Sequence, residues 1–99
     1  MVITQKNKNL IRSICETHSV ETLYLFGSAT GNTFGKSSDI DFLVKFRAID
    51  LSTYFENYMG LKQKLKKIFK RDVDLVEEQT LKNPILINSI NKSKELIYG

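Results

Sequence analysis

The chain has 99 residues, a formal net charge of +4, and 41% hydrophobic against 26% charged side chains. That balance supports one modest core and argues against disorder, a fibrous repeat or several domains. No apolar run approaches the roughly 20 residues that cross a bilayer. Residues 1–6 lack the apolar core of a signal peptide, and a lone Cys15 cannot form an intramolecular disulfide. The expectation is a cytoplasmic chain folded as a single domain over 1–99, with no membrane association.

The first helix is predicted to start after Thr4, a good N-cap, with Leu10, Ile11, Ile14 and Cys15 at helical spacing and His18 and Ser19 closing it. Cys15 reads as core packing, since an unpaired cysteine is among the most commonly buried residues. A lone His18 reads as a helix-end residue, because metal-ligating histidines come with clustered partners. Thr22-Leu23-Tyr24-Leu25-Phe26 is a short apolar run that fits a strand buried on both faces. It stops at Gly27-Ser28, and residues 29–38 are polar and glycine-containing, which predicts a loop or a short helix plus loop.

A second strand follows, Asp39-Ile40-Asp41-Phe42-Leu43-Val44. Its period of two sets Ile40, Phe42 and Val44 on one face and the two aspartates on the other. From Leu51 to Phe69, apolar residues at 51, 54, 55, 58, 61, 65, 68 and 69 trace the stripe of a long helix, with Asp50 or Ser52 as cap. Gly60 inside it is a candidate kink. The third strand, Asp72-Val73-Asp74-Leu75-Val76, alternates like the second. Asn83-Pro84 then reads as an N-cap followed by proline at the first helical position. That last helix carries Leu86, Ile87 and Ile90, and Leu96-Ile97-Tyr98 can return as a terminal strand. The order α-β-(α)-β-α-β-α predicts an α/β (α+β) fold, a small mixed sheet with helices packed on it.

The positive charge is concentrated. Lys62, Lys64, Lys66, Lys67, Lys70 and Arg71 form a run with no acid between them. It reads as a solvated helix face or as a basic wall that attracts a polyanion such as a nucleotide. With only +4 overall, direct nucleic-acid binding is not expected.

Three features converge on one chemistry. Gly27-Ser28 ends a strand, where a glycine lets backbone approach a ligand and N–H groups can meet phosphate oxygens. Asp39 and Asp41, two residues apart on a strand, hold carboxylates on one face with Cα atoms about 6.6 Å apart, an arrangement that wants a cation. Mg²⁺ takes such oxygen ligands and completes its shell with water and substrate phosphates. Asp74, if its strand lies beside the second, brings a third carboxylate that can complete a two-metal site and accept a proton. Each alone is weak. Gly-Ser is common in turns, Asp-x-Asp serves equally as an exposed strand face or a cap, and Asp72 at the strand's start reads as solvated.

Together they match a known pattern. Leu25-Phe26-Gly27-Ser28, ten intervening residues, then Asp39-Ile40-Asp41-Phe42-Leu43-Val44 resembles the signature of the minimal nucleotidyltransferases of the DNA polymerase β-like superfamily. Arg71-Asp72-Val73-Asp74-Leu75-Val76 resembles the strand that bears their third carboxylate. The resemblance implies transfer of AMP from ATP, with release of pyrophosphate and two Mg²⁺ ions. Asp39, Asp41 and Asp74 would be the metal-binding and catalytic carboxylates, with Asp74 as base. Nucleotide contacts would fall at Gly27, Ser28, Lys36 and Ser38. Members often carry an arginine two positions after the serine; here that position is Thr30, so its contact is absent or supplied by Lys36, Arg47 or the 62–71 run.

Minimal nucleotidyltransferases of this length resemble the antitoxin halves of modules whose partner is a HEPN-type toxin, and there the acceptor is a tyrosine of the toxin. Two alternatives stay open: an antitoxin that neutralises its partner sterically without chemistry, and AMP transfer to a small molecule. The latter needs an acceptor pocket from a partner or from a second copy in a homo-oligomer. Haloacid-dehalogenase phosphatases are disfavoured because the leading strand carries no aspartate. Glycosyltransferases need a larger sugar-nucleotide domain.

Overall fold

The computed structural model describes residues 3–27 and 39–99. The segment 28–38 lies outside the described residues; it holds the bracketed helix of the expected order and Ser28, Thr30, Phe34, Lys36 and Ser38. Helix α1 spans Gln5–Thr17, with the Thr4 hydroxyl accepting from the Asn7 N–H at 3.1 Å. At its end the His18 backbone N–H and ring Nδ1 both bond the Ile14 carbonyl, the ring at 2.7 Å. A carbonyl only accepts, so Nδ1 carries the proton and Nε2 is left facing the rest of the molecule.

Strands β1 (Val20–Phe26) and β2 (Ile40–Phe46) are antiparallel, and helix α2 (Leu51–Phe69) crosses from β2 to a parallel β3 (Val73–Glu77). A parallel neighbour cannot be reached by a tight turn, which is why the longest helix sits at this point. A 3₁₀ turn (Glu78–Thr80), helix α3 (Pro84–Ser93) and strand β4 (Glu95–Tyr98) follow. The Asn83 side chain caps α3 by accepting from the Ile85 and Leu86 N–H groups. The C-terminal residues do form a strand, antiparallel to β1, and the sheet order is β3-β2-β1-β4.

Ile11 and Cys15 of α1 and Leu61 and Leu65 of α2 join Leu23, Leu25, Phe42, Val44 and Leu75 in one buried cluster. Both helices therefore cover the same face of the sheet. Each fully buried aliphatic side chain there contributes roughly 1.5–3 kcal/mol. Burial, and then the Glu16 charge, push the Cys15 thiol up to about 12, so it packs as an inert small hydrophobe.

Two expectations change. Strand β1 is not buried on both faces: Leu23 and Leu25 are buried, but Thr22, Tyr24 and Phe26 are only partly covered. The opposite face of the sheet carries the carboxylates, and the α1–α2 layer does not reach it. The α2 stripe is also not wholly core. Leu51 is 85% and Phe55 66% exposed, because they lie on the flank of the stripe that turns away from the sheet. Helix α2 runs unbroken through Gly60.

Gly60 instead permits a close approach. A Cβ there would stand 2.8 Å from His18 Nε2, and the imidazole is anchored through Nδ1. Alanine would gain about 1 kcal/mol of helix propensity but overpack at a cost of roughly 1–3 kcal/mol. Gly60→Ala should therefore lower stability in urea denaturation. In a His18→Ala background, the same substitution should raise it.

Candidate active site

The carboxylates are brought together by strand register. Asp41 pairs with Phe26 of β1 on one side and with Asp74 of β3 on the other. In-register neighbours lie about 4.8 Å apart, and their side chains share a face. Two unit charges at roughly 5 Å repel by about 3 kcal/mol at an effective dielectric of 20. Asp39 stands just before β2, two residues from Asp41, and with Asp74 it is exposed, whereas Asp41 is half-buried. Burial, then the Asp74 charge, then the Asp39 charge push the Asp41 carboxyl above the usual aspartate range. The three predicted carboxylates thus sense one another.

Gly27 closes this cluster on the β1 side. It has φ +77°, and a side chain on it would fall on the Asp41 carboxylate oxygen. The glycine is required twice over, by its backbone conformation and by the space Asp41 fills. Ser28, Lys36 and Ser38 lie outside the described residues. Asp72 is apart from the cluster, its side chain 78% exposed and paired with Lys66 Nζ at 3.5 Å.

The structure sorts the candidate replacements for the missing arginine. Arg47 follows the far end of β2, six residues beyond Asp41, so at about 3.3 Å per residue it stands some 20 Å away. Its backbone N–H bonds the Ser19 carbonyl there. The cleft of about 510 Å³ that it lines with Arg12, Glu16 and Tyr98 contains none of the carboxylates. The 62–71 run has the better placement, because α2 ends at Phe69 and β3 begins at Val73, one residue before Asp74. Lys36 lies outside the described residues.

Two residues not singled out for the site stand near it. Lys94 Nζ lies 4.3 Å over the ring of Tyr24, which by alternation shares the carboxylate face. Tyr58 donates from its hydroxyl to the Leu75 carbonyl, next to Asp74. Burial, then the Asp74 charge, push the Tyr58 phenol up. Neither contact has a sequence signal, since Lys94 looks like a helix-end lysine and Tyr58 like one more stripe residue. Phe46, at the far end of β2, is buried and packs edge-on against Tyr54 at 5.3 Å.

Among the described residues, no group of three or more His, Cys, Asp or Glu is gathered closely enough to hold a metal ion. The donor set nevertheless fits a hard divalent cation: three carboxylates on one face, with mutual repulsion that a cation would relieve.

The profile of the family "Polymerase beta, Nucleotidyltransferase" matches residues 8–99. The chain belongs to this family. It is a nucleotidyltransferase, 33% identical over 98 residues to a candidate protein adenylyltransferase of Methanocaldococcus jannaschii; the match spans 97% of this chain and 90% of that protein. Among solved structures, a toxin–antitoxin complex with AMP-PNP superposes with TM-score 0.69 at 28% identity, covering 94% of this chain and 73% of the other. A complex of a tri-AMPylated Shewanella oneidensis HEPN toxin with an MNT antitoxin gives 0.63 at 26% identity, covering 96% and 71%. A minimal nucleotidyltransferase at 24% identity gives 0.75 over 92% of this chain and 89% of its own, which supports the fold. The resemblance to the antitoxin-type minimal nucleotidyltransferases therefore holds.

Gly27→Ala should cost roughly 1–2 kcal/mol in stability from the left-handed backbone alone. It should also abolish nucleotide transfer by displacing the Asp41 carboxylate, as read by unfolding and activity assays together. The raised Asp41 carboxyl sets a second outcome. The folded state holds this proton to higher pH than the unfolded chain does, so the metal-free nucleotidyltransferase should lose stability as pH rises from the ordinary aspartate range through the raised value. Asp41→Asn should flatten that part of the stability–pH curve and leave the metal-free protein at least as stable at neutral pH.

Proposed function

We propose that this nucleotidyltransferase moves AMP from ATP to a tyrosine hydroxyl of a HEPN-type toxin, with Mg²⁺, and thereby acts as an antitoxin. The observation that carries the reading is the register of Asp41 with Asp74 beside a side-chain-free Gly27 on the face that α1 and α2 leave uncovered. Among the described residues, one four-stranded sheet and three helices build a single small core, which favours an acceptor brought by another protein. A protein acceptor is supported further by the AMPylated toxin in the related complex.

In this reading Asp39 and Asp41 hold the metal ions, and Asp74 holds one of them and takes the acceptor proton. Bound Mg²⁺ would neutralise charge on the triphosphate and orient it. Gly27 lets backbone approach the phosphates, with Ser28, Lys36 and Ser38 as further nucleotide contacts. The tyrosine oxygen forms a bond to the α-phosphorus and the α–β bridging P–O bond breaks. Pyrophosphate leaves, and the phenolic proton passes to Asp74. The chain's part is positioning and charge neutralisation, which suits a site of so few residues. The basic 62–71 run adds positive potential at the carboxylate end of the fold.

ATP labelled at the α-phosphate, with Mg²⁺ and a lysate containing the native neighbours, tests this. Label should move to a protein band and be lost in an Asp39→Asn/Asp41→Asn variant that folds normally. Absence of transfer by the folded protein beside its bound partner would instead favour steric neutralisation.

A further inference from the structure

The open edge of β3 is closed by a side chain. In the sheet order β3-β2-β1-β4, β3 has a neighbour on one side only. The Ile40 N–H donates to the Asp72 carbonyl at 3.1 Å, so the Asp72 carbonyl faces β2. Backbone groups alternate along a strand, which turns the Asp74 carbonyl toward β2 as well and the Leu75 carbonyl away from it, onto the free edge. The Tyr58 hydroxyl of α2 reaches around this edge and donates to that carbonyl. Its ring is held in turn by stacking on Tyr54, with centroids 6.3 Å apart. The same helix sends Leu61 and Leu65 into the core, and Tyr58 itself packs against that cluster.

The carbonyl that Tyr58 grips belongs to Leu75, the residue that follows Asp74 in β3. An edge strand without such a clamp has one ladder to hold it, and its terminal residues fray first. Asp74 is the second residue of β3 and stands in register with Asp41 across the ladder. We propose that Tyr58 is a positioning residue: its hydrogen bond to the Leu75 carbonyl holds β3 in place so that Asp74 stays beside Asp41 when both meet a divalent cation. This rests on the reading of the carboxylates as the metal site, and extends it to a residue on the opposite, helix-covered side of the sheet.

The test reads metal binding separately from transfer. Mn²⁺ is titrated with AMP-PNP and followed by electron paramagnetic resonance, a readout that needs no acceptor. In Tyr58→Phe the half-saturating Mn²⁺ concentration should rise about tenfold, the scale seen when a supporting partner of a metal ligand is lost. The KM for ATP should hardly change while kcat falls. Tyr54→Phe, which removes a phenol from the same helix face without touching Leu75, should leave Mn²⁺ binding as it was. Replacing Tyr58 by p-aminophenylalanine, which keeps a donor, should restore most of it. In the wild-type protein the Leu75 carbonyl ¹³C signal should shift when Mg²⁺ and AMP-PNP bind, a readout independent of how any variant folds.

Unchanged Mn²⁺ affinity in folded Tyr58→Phe would overturn the proposal. So would equal weakening in Tyr54→Phe, or a Leu75 signal that ignores the metal. Wild-type protein that binds Mn²⁺-nucleotide but transfers nothing would count against AMP transfer and leave the Tyr58 comparison fully readable.

Discussion

The parallel pairing of β2 with β3, with Asp41 opposite Asp74, is the constraint on which the rest of the structure depends. Side chains alternate with a period of two, so a slip of one residue would send Asp74 into the core and Val73 or Leu75 to the surface. The apolar half of each strand prevents that slip. Ile40, Phe42, Val73 and Leu75 are all buried against α1 and α2, and the burial that stabilises the fold fixes the register of the charges. The long α2 crossover is the covalent condition for this pairing, and its C-terminal half brings the basic run to the carboxylate end of the sheet.

The arrangement divides the sheet into two functions. One face is packed by two helices and supplies the stability; the other holds like charges together at a cost to it. The raised Asp41 carboxyl is the sign of that cost, since desolvation and two neighbouring carboxylates all oppose its ionisation. Gly27 contributes space that no side chain could share, and Lys70 ends α2 in the left-handed region at φ 54°. Gly27 and Lys70 are thus two local backbone costs at the carboxylate end, which the surrounding packing has to sustain. A cation on the carboxylates would convert the repulsion into binding energy.

The proposed chemistry needs little protein: carboxylates to carry metal, backbone to approach phosphate, and a partner that brings the acceptor. A carboxylate face that α1 and α2 leave open suits an acceptor presented by another protein. The exposed Leu51 and Phe55 lie on the other, helix-bearing side of the molecule and belong to no part of that face.

Much of this was legible in the residues. The caps at Thr4 and Asn83 were readable because capping is local chemistry between a side chain and N–H groups two or three residues on. The three main strands were readable from alternation, and the carboxylate trio from its spacing and its likeness to a known signature. What the sequence determined by itself were properties settled within a few residues: element type, the face a side chain takes, and the residue types available for chemistry. Tertiary structure alone decided the neighbours. It put Arg47 at the wrong end of β2 to replace a missing arginine, left Thr22, Tyr24 and Phe26 partly open, turned Leu51 and Phe55 outward, and set Gly60 beneath His18 and Tyr58 on the β3 edge. Those facts depend on how elements distant in the chain pack, and the burial energy that selects the packing is summed over the whole core, with no single segment encoding it.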